Sequence, residues 1–278
     1  MFRALLAGAA ARAATVCGMS QPPARPTDLF TLADRRIVVT GAGRGLGQGL
    51  ATGIARQGAH VVLVARSLPE LEETGREIRD AGGSCHVVPA DLASRDGWEG
   101  LVADLVADGV PDGVVHGAGV QVRKPATEVT PEDWAFIQAV NVEAPFFLST
   151  RLGAAQAHAG VPASHVFVTS LSSSIAVRNA APYAASKSSL LGVIRTLSAE
   201  WAPLGIRVNG IQPGYFHTRL TEDLLSQPEQ HARILGRIPM GRLGTAQDLV
   251  GAAVFLLSAA SAYVTGQNIA VDGGWLAS

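Results

Sequence analysis

The chain has 278 residues, of which 47% are hydrophobic, with 22 Lys plus Arg against 23 Asp plus Glu. That length suits one large α/β domain, or two small ones at most, with ample apolar material for a core. A net charge of −1 argues against a general nucleic-acid binder, which carries a basic excess. The two cysteines, Cys17 and Cys85, stand in no CxxC or Cys/His cluster, so neither a disulfide framework nor a metal site is expected, and a reducing compartment is the simplest reading.

The first 18 residues hold Arg3 and Arg12, no acid and many Ala. Two readings stand side by side: a transit-type presequence, or translation from a start upstream of Met19. The stretch is too short and too interrupted by charge to span a membrane. Three prolines between Ser20 and Thr27 describe an arm. Residues 1–28 are thus an expected extension and residues 29–278 the expected single domain. The expected location is the cytoplasm, or an organelle if the presequence is real.

From Asp34 onward short Val- and Ile-rich runs alternate with longer amphipathic ones. Strands are predicted over Arg36–Thr40, His60–Ala65, Cys85–Pro89, Gly113–His116, His165–Thr169, Ile206–Ile211 and Asn268–Val271. The helical runs between them include Gly45–Gln57, Leu68–Ala81 and Thr130–His158, where apolar residues recur every three or four positions. The strands lack strict alternation, as strands covered on both faces do. Strand and helix in turn mean an α/β fold, a doubly wound parallel sheet of about seven strands of the Rossmann type.

The first strand runs into Gly41-Ala42-Gly43-Arg44-Gly45-Leu46-Gly47, with a helix at once behind it. Glycine there lets a pyrophosphate approach the backbone and the free N–H groups of a helix start. The second strand ends Ala65-Arg66-Ser67, without the acid that would bind a ribose 2′-hydroxyl. Arg66, with Arg44 in the glycine loop, suits a 2′-phosphate instead, which predicts NADP(H). Asp91, after the third strand, is placed either to accept from an adenine amino group or to cap the next helix.

Tyr183 and Lys187 lie four residues apart just after Pro182, a residue suited to a first helical turn. They therefore share a face. The ammonium is expected to lower the phenol from its ordinary pKa of about 10, making it a general acid/base, and to bond the nicotinamide ribose. Ser170, at the end of a Val-rich strand, is placed to bind the substrate oxygen. Asn141 is placed to hold a water linking Lys187 to solvent.

With these residues in view, the chain from Leu29 to Ser278 resembles the short-chain dehydrogenases/reductases. The resemblance implies the catalytic tetrad Asn141, Ser170, Tyr183 and Lys187. It implies a cofactor cleft that also takes in Leu46, Asp91, Leu92, Gly119, Pro213 and Gly214, with Thr218 on the nicotinamide carboxamide. It further implies a lid around His217 to Gly236 and a homotetramer. One departure stands out. His116-Gly117-Ala118-Gly119 replaces the family's Asn-Asn-Ala-Gly. The asparagine that ties the central sheet is thus Gly117, and restoring it is expected to leave activity intact or raise it.

The segments Gly45-Leu46-Gly47-Gln48-Gly49, Gln121-Val122-Arg123-Lys124-Pro125 and Val271-Asp272-Gly273-Gly274-Trp275-Leu276 are similar to the gluconate 5-dehydrogenase and 2-deoxygluconate 3-dehydrogenase type. A small-molecule sugar acid needs a cation for its carboxylate and polar groups for its hydroxyls. Gln121, Arg123, Arg178, Asn179 and His217 are the candidates, with Arg123 for the carboxylate. Two other readings remain open: a 3-oxoacyl-thioester (acyl-carrier-protein) reductase, and a non-catalytic NADP-binding sensor.

Overall fold

The Val-rich runs form seven strands because each offers apolar side chains to both sides of a sheet. A computed structural model describes residues 29–218 and 221–278. The expected 1–28 extension and two positions of the expected lid lie outside the described residues. The strands are β1 (Arg36–Thr40), β2 (His60–Ala65), β3 (Ser84–Pro89), β4 (Gly113–His116), β5 (Ala163–Val168), β6 (Ile206–Pro213) and β7 (Asn268–Val271). All pair in parallel, in the order β3-β2-β1-β4-β5-β6-β7.

Alternate residues of each strand enter opposite cores. Ile37, Val39, Val61 and Leu63 pack on one face with α1 (Gly45–Arg56) and α9 (Ala246–Leu257). Val38, Val62, Val64 and Val114 pack on the other with α3 (Trp98–Ala107) and α5 (Ala144–Ala159). Each such side chain contributes roughly 1.5–3 kcal/mol by leaving water. Small residues set how near the helices come. A Cβ on Gly49 would lie 2.2 Å from that of Ala246, and one on Gly53 2.4 Å from Val250, so the two glycines of α1 admit α9.

The strand order reverses between β1 and β4, which opens a crevice at their carboxyl ends. Thr40 and His116, the last residues of those strands, are register partners. The glycine loop and the Gly117–Val120 segment therefore leave the sheet side by side. The remaining helices are α2 (Leu68–Asp80), α4 (Pro131–Gln138), α6 (Ala181–Trp201), α7 (Glu222–Leu225) and α8 (Pro228–Leu235).

The single helix predicted over Thr130–His158 is interrupted. A π turn, Ala139–Glu143, separates α4 from α5, with Ala144 N–H bonded to Ala139 O. Pro145 is the reason: it has no N–H to give the Asn141 carbonyl four residues back, so the α ladder widens there. Thr169, expected in β5, falls just past its end, while β6 runs two residues beyond the predicted Ile211.

Candidate active site

The glycine loop presents a helix start with nothing of its own on it. Arg44 occupies the N-cap of α1 without a side-chain cap bond, and no acid lies in the first turn. Gly41 and Gly45 adopt φ of +72° and +58°, a region that disfavours side chains. A Cβ on Gly41 would press to 2.8 Å of the Ala118 backbone, and one on Gly47 to 2.1 Å of Gly41 O. A Cβ on Gly45 would meet nothing within 4 Å, so that side of the loop is open. Free N–H groups, an unopposed helix dipole and open space fit a pyrophosphate.

Arg66 leaves β2 exposed and forms no ion pair among the described residues. Arg44 differs: its guanidinium meets Glu70 at 3.2 Å. Asp91 does not cap α3, which begins at Trp98 with Gly97 as N-cap. Its Oδ1 accepts from Ala93 N–H at 3.0 Å, in a local turn. Leu92 buries its side chain in the core, so only its backbone is available to a nucleotide.

On the far side of the cleft, α6 begins with Pro182 in its first turn, as expected. Lys187 is 4% exposed, and its ammonium donates to Val168 O at 2.7 Å while standing 5.9 Å from the Tyr183 ring centroid. Tyr183 is half-buried, with the Ser170 hydroxyl near enough to its phenol to favour the ionised form. Ser170 also accepts from Ser172 N–H at 3.2 Å, which steadies it at the end of β5.

The expected lowering of the phenol by Lys187 is not what this arrangement produces. Burial pushes the Tyr183 pKa up, and the groups that offset it are Ser170 and the charge of Arg123. Burial likewise brings Lys187 down to about 8, so the ammonium itself sits near its titration point.

Asn141 is fully committed to the scaffold. Its Oδ1 accepts from Val120 N–H at 2.8 Å. Its amide donates to Val120 O at 2.9 Å and to Ser186 Oγ at 3.0 Å, and Ser186 donates in turn to Tyr183 O. This clamp fixes the loop after β4 against the first turn of α6. A water leading from Lys187 would therefore use main-chain atoms, and Pro145 has already freed the Asn141 carbonyl from its α-helical donor. Gly119 stands beside the clamp; a Cβ there would lie 3.6 Å from both Asn141 Oδ1 and Lys187 Nζ.

Gln121 and Arg123 follow on the same loop, and Lys124 N–H bonds Asn179 O at 3.1 Å, joining that loop to the Arg178–Asn179 turn. Lys124 is ion-paired with Asp133 at 2.6 Å, whereas Arg123 is exposed and makes no ion pair among the described residues. Arg178 and His217 are exposed as well. Pro213 and Gly214 end β6 against β7: Gly214 N–H bonds Val271 O, and a Cβ on Gly214 would come within 2.6 Å of Asp272 Cα. Thr218 is held through Thr221, whose hydroxyl accepts from its N–H at 3.1 Å and lies 3.2 Å from its Oγ1.

Two features went unread in the sequence. The first is Glu70, although Ser67-Leu68-Pro69-Glu70 carries the Ser-x-x-Glu signature of a helix start. The second is a buried polar chain below the crevice. His116 Nε2 meets Ser149 Oγ at 2.7 Å, Ser149 meets His165 Nδ1 at 3.2 Å, and His165 Nε2 meets Gln156 Oε1 at 2.8 Å. Gln156 then donates to Pro111 O at 2.8 Å. Burial lowers both imidazoles, His165 to about 3, so the chain is neutral. It links β4, β5 and α5, the region that Gly117 leaves without a side-chain tie. A Cβ at Gly117 would itself sit 2.8 Å from Thr40 O, so an asparagine there does not fit without movement.

A parallel seven-stranded sheet, a glycine-rich turn at its switch point and a Ser, Tyr and Lys group facing that turn define a dinucleotide-dependent oxidoreductase. The chain belongs to the short-chain dehydrogenase/reductase family; residues 41–276 match the family model described as enoyl-(acyl carrier protein) reductase. It is 38% identical to gluconate 5-dehydrogenase of Gluconobacter oxydans over 251 residues, 89% of this chain and 96% of that one. The 2-dehydro-3-deoxy-D-gluconate 5-dehydrogenase of Escherichia coli is 39% identical, with 89% and 98% covered. Among solved structures, a gluconate 5-dehydrogenase of Burkholderia cenocepacia in complex with NADP and tartrate is 34% identical, covers 91% of this chain and 100% of its own, and superposes with a TM-score of 0.87.

Proposed function

We propose that this enzyme interconverts a secondary alcohol and a ketone of a sugar acid, using NADP(H). The observation that carries the reading is the placement of Arg123. It is an exposed guanidinium without a carboxylate partner among the described residues, and its charge reaches the Tyr183 phenol. A cation at that place suits a substrate that carries its own carboxylate near the reacting carbon. The relatives named for gluconate and its dehydro derivatives point the same way.

When bound, the nicotinamide supplies or accepts the hydride. This chain's residues do the rest. Ser170 holds the substrate oxygen beside the phenol. Tyr183 gives that oxygen a proton in reduction and takes one in oxidation. Lys187 contributes positive charge close to the phenol and, from its place in the cleft, a donor for the ribose. Asn141 keeps the Val120 loop and the first turn of α6 at a fixed separation, so these groups stay aligned. Gly41, Arg44, Gly45, Leu46, Gly47, Arg66, Asp91, Leu92, Gly119, Pro213, Gly214 and Thr218 form the cofactor side, and Gln121, Arg178 and His217 the substrate side with Arg123.

We further assign the enzyme to a homotetramer in the cytoplasm, with residues 1–28 as an extension of a domain spanning 29–278. In support of assembly, Trp134, Phe136 and Phe147 expose large apolar surface on α4 and α5, and among the described residues β7 pairs with β6 alone. No described helix is long and apolar enough to cross a membrane.

A steady-state panel tests the substrate. With NADPH, keto-gluconates should be reduced with a kcat/KM at least tenfold above simple apolar ketones and β-keto thioesters. In Arg123→Ala that advantage should collapse through a rise in KM of about tenfold or more, consistent with loss of one charge-assisted pair. Equal rates on apolar ketones, unchanged by the substitution, would exclude the sugar-acid assignment.

A further inference from the structure

We propose that Glu70 is a built-in competitor for the 2′-phosphate of the dinucleotide, holding Arg44 until that phosphate displaces it and so limiting the preference for NADP(H) over NAD(H). The inference rests on the NADP(H) reading above.

The geometry is that of a weak, fixed and replaceable partner. Arg44 Nη1 meets Glu70 Oε1 at 3.2 Å, with 53% and 38% of the side chains exposed. A single-contact pair so open to water is worth little, which makes it easy to exchange. A phosphate dianion brings twice the charge and a shape that accepts two guanidinium donors at once. An unphosphorylated ribose brings no charge, and Arg44 then stays with Glu70.

The backbone that carries the carboxylate is held in place beside the glycine loop. Glu70 is the third residue of α2, and its N–H is capped by Ser67 Oγ at 3.4 Å. Thr74 Oγ1 donates both to Glu70 O at 3.1 Å and to Ala42 O at 3.0 Å, pinning the first turn of α2 to the glycine loop. Gly43 completes the contact: a Cβ there would lie 3.1 Å from Glu70 Cβ and 3.3 Å from its Oε2. Arg66, at the end of the strand leading into α2, has no such acid among the described residues. Among the described residues the expected phosphate site thus holds one cation without an acidic partner and one already engaged. Binding of the phosphorylated cofactor must break an ion pair that binding of the other leaves intact.

Calorimetry with adenine nucleotide fragments tests this without turnover. The probes are 2′,5′-ADP and 5′-AMP, titrated at fixed ionic strength into the wild type and into Glu70→Gln, Glu70→Ala, Arg44→Ala, Arg66→Ala and the Arg44→Ala/Glu70→Ala double variant. Removing the carboxylate should tighten 2′,5′-ADP about threefold to fivefold, the upper range expected for relief of one exposed charge contact, and leave 5′-AMP within about twofold. Alanine should act at least as strongly as glutamine, which can still bond Arg44. In the Arg44→Ala background the gain should vanish. Unchanged or weaker 2′,5′-ADP binding in Glu70→Ala would overturn the proposal, as would a gain that persists without Arg44. If the wild type binds both fragments equally and neither Arg44→Ala nor Arg66→Ala changes that, the NADP(H) reading itself has failed.

Discussion

Lys187 hangs its ammonium 5.9 Å from the centre of the Tyr183 ring while spending one donor on the Val168 carbonyl, 2.7 Å away. Removal from water acts on both groups in the direction of the neutral form: it raises the half-buried phenol and lowers the buried ammonium.

Replacing Tyr183 by Phe keeps the ring and removes only the transferable proton. Turnover should fall by about 10²- to 10⁴-fold, the range for loss of a general acid/base. Fluorescence titration should find NADPH binding within about threefold of wild type. A protein that merely senses the nucleotide would keep its response and show no turnover to lose.

Lys187 offers a stability test with a definite sign. Its folded pKa of about 8 lies below its ordinary 10.5, so the unfolded chain binds more protons between these values. Stability contributed by this site should therefore rise as pH increases from 8 toward 10.5, and its charged form is a constant cost below 8. Lys187→Met should remove that cost and make the protein more stable at pH 7 by up to about 3 kcal/mol, less whatever the Val168 bond contributes. Denaturant unfolding at pH 7 and pH 9.5 reads this, while activity should drop at both. A clearly less stable variant would contradict it.

The His116–Ser149–His165–Gln156 chain predicts an asymmetric loss. Ser149→Ala leaves two buried imidazole nitrogens without their shared hydroxyl, which should cost about 1–3 kcal/mol. The melting temperature should fall accordingly. Turnover measured well below it should stay within about threefold, because no member of the chain bonds Tyr183, Ser170 or Lys187.

Gly117→Asn is expected to destabilise, whatever it does to the activity that the sequence reading expects to be intact or raised. The new Cβ would press to 2.8 Å of the Thr40 carbonyl, a backbone atom in the middle of the sheet edge. Overpacking of this kind costs about 1–3 kcal/mol. A higher melting temperature with unchanged kcat would show that the β1–β4 junction relaxes at no cost.

Much of this protein is legible in its local patterns. Doubly buried Val runs announce a covered parallel sheet, and glycines between a strand and a helix announce an anion site. The four-residue spacing of Tyr183 and Lys187 puts them on one helical face. Each of these follows from backbone periodicity, which a short window of residues contains. The tertiary structure alone decided which groups those residues meet. Arg44 finds Glu70 26 positions away, Asn141 finds Ser186 45 away, and His116 finds Ser149 33 away. Such pairs are set by strand order and by the lateral packing of helices, which no local spacing encodes. For the same reason the direction of the Tyr183 shift could not be read beforehand: it depends on how much water the assembled cleft excludes, and that is a property of the packed chain.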